Sequence, residues 1–112
     1  MANSVIPSPA LRYPDYSNAI ATGQCNESQS STFSYAIPQD GWIHITLQKR
    51  TLGFVNARIN GSSVVVCYCN NTGIGMVEMV DALIPVKKGD ILTFDYATTD
   101  ETVQYYTFFG LR

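Results

Sequence analysis

His44 is the only histidine of the chain and the first side chain to examine for chemistry near neutral pH. A catalytic triad or a zinc site needs carboxylates, hydroxyls or cysteines at matching spacings, and no such set accompanies His44. Since His44 alternates with Ile43 and Ile45, the pattern places it on the outward side of a strand. We therefore predict that His44 is an exposed or interfacial strand residue.

The three cysteines offer a second kind of chemistry, which is disulfide formation or binding of a soft metal. Cys67 and Cys69 point the same way on a predicted strand, with Cα atoms about 6.5–7 Å apart, at the limit of disulfide geometry. A metal would need a second pair of ligands, which the sequence does not offer. We expect both to be reduced and to act as small apolar residues. Cys25 stands in a polar stretch, and the sequence leaves its state open.

The carboxylates are the third candidate group. Glu78 and Asp81 are close in sequence, but on a strand they point to opposite faces, which does not suit paired acid–base catalysis. A second set of acids would suit a calcium site at a loop end, although turn capping is the commoner role of such residues: Asp90, Asp95, Asp100 and Glu101. The sequence therefore predicts no enzyme, no metal site and no cofactor.

Composition narrows the function classes further. A chain of 112 residues predicts one domain, which buries about two-thirds of its unfolded surface. Only 14% of residues are charged, so neutral polar and aromatic side chains must cover the outside. Such a surface often faces another protein, although an unpartnered neutral domain fits equally well. The net charge of −2 and the absence of basic clusters beyond Lys49-Arg50 and Lys87-Lys88 argue against nucleic-acid binding.

The first residues resemble no targeting signal. They lack the basic and apolar regions of a secretory signal, and residue 2 is alanine where myristoylation needs glycine. No apolar run approaches the roughly 20 residues that span a bilayer. We expect a chain made in the cytoplasm that does not insert into a membrane.

Alternation with period two dominates the chain from residue 31 onward. The expected strands are 32–37, 42–49, 54–60, 63–69, 75–86, 91–97 and 103–111. Asn60-Gly61 favours a type I′ hairpin turn. We expect strands 42–49, 54–60 and 63–69 to be consecutive antiparallel neighbours.

Residues 1–30 differ in composition from the rest. Three prolines, Pro7, Pro9 and Pro14, resist helix and favour extended chain. We expect an extended N-terminal arm that packs on the domain or on a neighbouring subunit, with one short strand near Ala19–Thr22. Residues 31–112 are expected to form an all-β sandwich of about eight antiparallel strands. Periodicity alone does not distinguish an immunoglobulin-like sandwich from a jelly roll.

Four short motifs stand in an order and spacing that matches a known pattern. They are Phe33-x-Tyr35-x-Ile37-Pro38, Gly41-Trp42-Ile43-His44-Ile45, Lys88-Gly89-Asp90-Ile91 and Tyr106-Thr107-Phe108-Phe109-Gly110-Leu111. Together they resemble the globular head of the C1q and tumour necrosis factor superfamily. The resemblance implies a jelly-roll β-sandwich that assembles into a homo-oligomer, a dimer or a trimer.

Similar small jelly rolls occur in tailed bacteriophages, both as fibre tips and as capsid decoration proteins that staple or cement the shell. A short chain with an extended arm is more similar to a decoration protein than to a fibre tip, which ends a long polypeptide. The resemblance thus implies a virion protein on the capsid exterior whose partner is the major capsid protein. The alternative is a receptor- or glycan-binding tip of a tail fibre or spike.

Aromatic side chains are the candidates for such contacts. Seven Tyr, five Phe and one Trp exceed what so small a core comfortably holds. The residues expected at a subunit or shell interface are Tyr13, Tyr16, Tyr35, Trp42, Tyr68, Tyr105 and Phe109. For each of them, a place in the ordinary core is the competing interpretation.

Overall fold

The computed structural model describes residues 12–25, 33–70, 77–95 and 102–112, and within them the chain forms strands and no helix. The strands are β1 (Pro14–Gln24), β2 (Tyr35–Ala36), β3 (Gly41–Lys49), β4 (Gly53–Ile59), β5 (Ser62–Cys69), β6 (Glu78–Val86), β7 (Ile91–Phe94) and β8 (Thr102–Leu111). The all-β prediction is confirmed.

Two four-stranded antiparallel sheets form the sandwich. The first sheet has the order β1-β8-β3-β6, and the second has the order β2-β7-β4-β5. The outermost strands of the chain pair with each other, β1 with β8, and the pairing continues inward through β2 with β7, β3 with β6 and β4 with β5. This nested pairing is that of one long antiparallel ribbon wrapped around a core. The fold is therefore a jelly roll.

β3 and β4 lie in different sheets, which corrects the expectation that the strands after residue 42 are three consecutive neighbours. β3 pairs with β6 and β8, whereas β4 pairs with β5 and β7. Gly53, at the start of β4, has a φ of 128°, which residues with a Cβ rarely adopt. The connection therefore redirects the chain into the other sheet instead of closing a hairpin.

The hairpin predicted at Asn60-Gly61 is confirmed. Asn60 has a φ of 53° and Gly61 a φ of 83°, as a type I′ turn requires, and the turn joins β4 to β5. The register shifts by one residue just after the turn, and Val64 is the extra residue of this bulge in β5.

β1 is longer than the short strand expected near Ala19–Thr22. It runs from Pro14 to Gln24 and pairs with β8 at the edge of the first sheet. The backbone N–H of Arg112 donates to the Tyr13 carbonyl at 2.9 Å and extends this pairing. The sandwich therefore begins within the segment 1–30 that was assigned to the arm, and residues 1–11 and 26–32 lie outside the described part of the chain.

The core lies between the two sheets and ends in an aromatic cluster. Ile43, Ile45 and Leu47 of β3 are fully buried, as their alternation predicts. In the aromatic cluster, the ring of Tyr106 stacks on the ring of Tyr35, with centroids 4.9 Å apart. Burial raises the pKa of both phenol groups. The rings therefore pack as neutral groups between the sheets.

The three cysteines are buried thiols, which confirms the expectation that Cys67 and Cys69 are reduced. Burial raises the pKa of the Cys67 thiol and of the Cys25 thiol, and so favours their neutral forms. Cys25 directly follows β1, and its backbone N–H donates to the Gln104 carbonyl at 3.2 Å. All three side chains are part of the core.

Candidate functional site

The outward side chains of β1, β8, β3 and β6 form one continuous surface, which we call the first-sheet face. It contains four of the seven aromatic residues predicted for an interface, namely Tyr16, Trp42, Tyr105 and Phe109. Trp42 lies opposite Phe109 in the β3–β8 ladder. The Tyr16 ring meets the Phe109 ring edge-on, with centroids 5.2 Å apart. Tyr16 is 65% exposed and Tyr105 is 44% exposed, so both are available to a partner.

His44 has a carboxylate partner on the first-sheet face, which the sequence analysis did not find. His44 Nε2 lies 3.1 Å from Asp81 Oδ1, and the Thr46 hydroxyl donates to the same oxygen at 2.6 Å. Thr46 and Asp81 are direct cross-strand partners in the β3–β6 ladder. The prediction that His44 stands on an outward strand face is confirmed, because its side chain is 40% exposed.

The order of these three groups does not suit a hydroxyl nucleophile. In a triad the histidine stands between the hydroxyl and the carboxylate and takes the proton from the hydroxyl. Here both His44 and Thr46 bind Asp81 Oδ1, so the hydroxyl proton points to the carboxylate. The His44–Asp81 pair is also exposed to water, since 47% of the Asp81 side chain is accessible. It therefore contributes at most about 1 kcal/mol to the free energy of unfolding.

Trp42 lies at one end of the first-sheet face, beside an open groove of about 500 Å³. The groove has apolar walls and a rim of opposite charges, and its lining residues are Arg12, Asp40, Gly41, Trp42, Pro85, Val86, Lys87 and Leu111. The Trp42 indole N–H donates to the Arg12 carbonyl at 2.9 Å. Asp40 accepts the Lys88 backbone N–H at 2.9 Å. An aromatic wall beside paired polar groups suits a small polar ligand with one apolar side.

The other three predicted interface residues lie elsewhere. Tyr13 precedes β1 and is 72% exposed. Tyr35 packs against the core and stacks on Tyr106, so its surroundings match the competing interpretation of an ordinary core residue. Tyr68 is on the outward side of β5 in the second sheet and is 59% exposed. The structure therefore brings four of the seven together and separates Tyr35 and Tyr68 from them.

Tyr68 belongs to an apolar surface that the sequence analysis missed. It lies directly opposite Phe54 in the β4–β5 ladder, and it alternates with Val66 and Val64 along β5. We call these four residues the hairpin patch. Phe54 is 53% exposed, Val66 48% and Val64 40%. The sequence feature that could have revealed this surface is the apolar run from Val64 to Cys69. A strand with one solvent-exposed face would alternate between apolar and polar residues.

A polar network lies beside the hairpin patch. Asp95 accepts the backbone N–H and the side-chain amide of Asn56 at 3.2 and 2.9 Å, and it accepts Arg58 Nε at 3.1 Å. Asn56 in turn accepts the Ser63 hydroxyl at 2.6 Å. Asn56 is only 5% exposed, so its polar groups depend on these partners.

The acids that were considered for calcium act as hydrogen-bond acceptors where the structure describes them. Asp90 accepts the Lys87 backbone N–H and the Asn60 side-chain amide, both at 2.9 Å. These bonds lower the pKa of Asp90, the Lys87 bond most. Within the described ranges no group of three or more histidine, cysteine or acidic residues could hold a metal ion. Asp100 and Glu101 lie outside those ranges.

Two comparisons with known proteins found no match to this chain. No protein-family model matches it, and neither does any curated protein. In the described part of the chain, no helix is long and apolar enough to span a membrane.

Proposed function

We propose that this chain is a non-enzymatic adhesion protein of a virion, which decorates the exterior of a bacteriophage shell and stabilises it. The observation that supports this function best is the first-sheet face, where four outward aromatic side chains stand on adjacent strands. The resemblance to small jelly-roll decoration proteins supplies the partner, which is the major capsid protein.

The mechanism is burial of aromatic area across a boundary between shell subunits. An aromatic side chain buries about 150–250 Å² when it is fully covered, and such residues dominate interface energetics. Tyr16 and Tyr105 are the rings with the most area left to bury on the first-sheet face. A protein that binds the assembled shell but not its separate subunits stabilises the assembly by mass action, by about 2.7 kcal/mol per site at 100 times the dissociation constant.

Co-sedimentation with undecorated shells from the same source tests this proposal. The wild-type chain is expected to pellet with the shells and to saturate. A Tyr16→Ser, Tyr105→Ser double variant removes two exposed rings without opening the core, and we expect it to stay in the supernatant. Its matched control is Leu52→Ser, which removes a similarly exposed apolar side chain (61%) from the connection between β3 and β4 and should pellet as the wild type does.

Trp42 provides a second readout because it is the only tryptophan of the chain. Contact with a shell at the first-sheet face should shift its fluorescence to shorter wavelengths. No sedimentation with shells, or sedimentation that survives loss of both tyrosines, would refute the proposed surface.

The groove beside Trp42 favours a second candidate, a receptor- or glycan-binding tip. Sugars present an apolar ring face to an aromatic side chain and hydroxyls to charged residues, and the groove offers Trp42 together with Asp40 and Arg12. On this alternative, glycans quench Trp42 fluorescence, Asp40→Ala abolishes the quenching, and shells are not bound. The Tyr16→Ser, Tyr105→Ser variant separates the two functions, because glycan binding in the groove should survive it.

A further inference from the structure

The four edges of the two sheets are protected to different degrees. An edge strand presents unpaired backbone groups to other chains, and proteins blunt it with prolines, charges, bulges or short strands. β1 begins at Pro14 and has two register shifts. β6 contains Asp81 and Pro85, and β2 is only two residues long and ends shortly before Pro38.

β5 is the fourth edge, and within the described residues a bulge is its only protection. Its sequence from Ser62 to Cys69 contains no charged residue and no proline. Within the described residues it pairs with β4 alone. The bulge at Val64 lies next to the turn, and the strand beyond it pairs regularly. Val65 and Cys67 on its inward side are buried, while Val66 and Tyr68 on its outward side are apolar and half exposed. A strand that is apolar on both sides suits an edge with a covered outer face.

We propose that β5 is the association edge of this protein, at which a second copy adds its own β5 antiparallel about a two-fold axis. The two second sheets then continue into one another, and the two hairpin patches meet on the same side of the joined sheet. The contact is isologous, since each copy contributes the same residues. This inference does not depend on shell binding, because it uses the other sheet.

The spacing of the outward residues selects both a second copy as the occupant and one register. Opposite residues in an antiparallel pair point to the same face, so outward residues must meet outward residues. An axis at Val66 places Val64 opposite Tyr68 of the partner subunit, and Tyr68 opposite the partner subunit's Val64. Axes at the neighbouring residues leave Tyr68 or Val64 opposite a polar residue. Only the axis at Val66 therefore pairs all three apolar residues with one another, and aromatic–β-branched pairs are favourable.

The area of the hairpin patch sets the strength of this contact. The three outward residues of β5, Val64, Val66 and Tyr68, expose roughly 250 Å² per copy to a strand added at this edge. A standard interface buries about 800 Å² per partner, so these side chains supply about a third of that area. Backbone hydrogen bonds along the edge supply the rest of the contact. We therefore expect a dimer with a dissociation constant on the order of micromolar.

Sedimentation equilibrium of the full chain between about 1 and 100 μM tests this inference, with a reversible monomer–dimer equilibrium as the expected result. Val66→Lys places two like charges at the axis and should weaken the dimer by about 100-fold or more. Met79→Lys is the matched control, because Met79 is an exposed apolar residue on the β6 edge at 56% exposure. It should leave the dimer unchanged.

Three outcomes would overturn the proposal: a wild-type chain that stays monomeric over the whole range, a trimer, or a Val66→Lys dimer as tight as the wild type. If Val66→Lys does not fold, as judged by circular dichroism, the wild-type chain decides alone. Amide hydrogen exchange in 64–69 should then slow as the protein concentration rises, whereas exchange in β6 should not. Exchange in 64–69 that does not depend on concentration refutes the edge.

Discussion

On the first-sheet face, aromatic rings lie among polar side chains that hydrogen-bond to each other, whereas on the hairpin patch four apolar side chains lie together without a charge. Asp81 binds His44 and Thr46, and the hydroxyls of Thr22 and Thr107 are 3.1 Å apart. The hairpin patch has no such pairs, and its strand has an open edge in the described part of the chain. Both surfaces stand on the outer sides of the same sandwich.

This difference indicates two kinds of contact. A face whose polar groups are already paired can meet a partner without leaving them unsatisfied, and it can also remain in water. An apolar hairpin whose edge is open in the described part of the chain is covered well by another strand, which pairs its backbone groups and buries its apolar side chains. We infer that the first-sheet face suits a different partner, whereas the hairpin patch suits a second copy. A dimer joined at its hairpin patches would present two first-sheet faces to two adjacent sites on a partner. Such bivalent binding raises avidity without a new contact at either site.

The largest effect is expected for two acids, Asp95 in the polar network beside the hairpin patch and Asp81 on the first-sheet face. Asp95→Ala should lower the free energy of unfolding by about 2–3 kcal/mol, because it leaves the buried amide of Asn56 without its acceptor. Asp81→Ala removes an exposed pair and should cost less than about 1 kcal/mol. Urea denaturation of both variants gives the comparison. Equal losses would show that the two polar clusters do not differ as their burial indicates.

A smaller effect is expected for the single tryptophan. Trp42→Phe keeps an aromatic ring on the first-sheet face but loses the hydrogen bond to the Arg12 carbonyl, so it should destabilise the chain by about 1 kcal/mol. Tyr68→Phe removes a hydroxyl from an exposed ring of the hairpin patch and should be nearly neutral. Thermal unfolding followed by circular dichroism measures both. A neutral Trp42→Phe would mean that residues near Arg12 are not held to the first sheet by this bond.

The smallest effect concerns acid. Hydrogen bonds from Lys87 and Asn60 hold the pKa of Asp90 below its ordinary value of 3.8, so the folded chain binds this proton more weakly than the unfolded chain. The stability from Asp90 is therefore complete above that ordinary pKa and is lost as the pH falls through the lower, folded value. Asp90→Asn should flatten the acid loss of stability below about pH 4, measured by urea titrations at several pH values.

Asp15 is the control for that acid effect. Its pKa is also lowered, first by the Ser17 hydroxyl, but Ser17 is only two residues away in the chain. Because such a local bond also forms in the unfolded chain, Asp15→Asn should change the acid dependence less than Asp90→Asn. A larger change for Asp15→Asn would contradict the role given to Asp90, which lies between β6 and β7, in the acid dependence of stability.

The sequence predicted most strands to within a few residues because their cause is local. Alternation around Ile43 and the Asn60-Gly61 turn depend on neighbours in the chain, and both predictions are confirmed. β8 was found by the same alternation, but both of its faces contain aromatic rings. Periodicity therefore did not show that Phe108 faces the core and Phe109 faces out.

The missed features depend on strand pairings between distant residues. The contact of His44 with Asp81 needs β3 beside β6, and the pairing of β1 with β8 joins segments from opposite ends of the sequence. The separation of β3 from β4 was missed for a related reason, because a short connection predicts a hairpin unless the sheet of each strand is known. The site is thus less predictable than the fold, since it consists of cross-strand neighbours.

The position of β8 has a kinetic consequence. β8 lies between β1 and β3, so the first sheet cannot close until segments that are far apart in sequence have met. Loop closure of that length slows folding, and domains dominated by such pairings refold on the order of milliseconds to seconds. The β4–β5 hairpin depends only on adjacent residues and can form earlier. During that interval its bare edge would be open to hairpins of other molecules, so refolding at high concentration should favour aggregation.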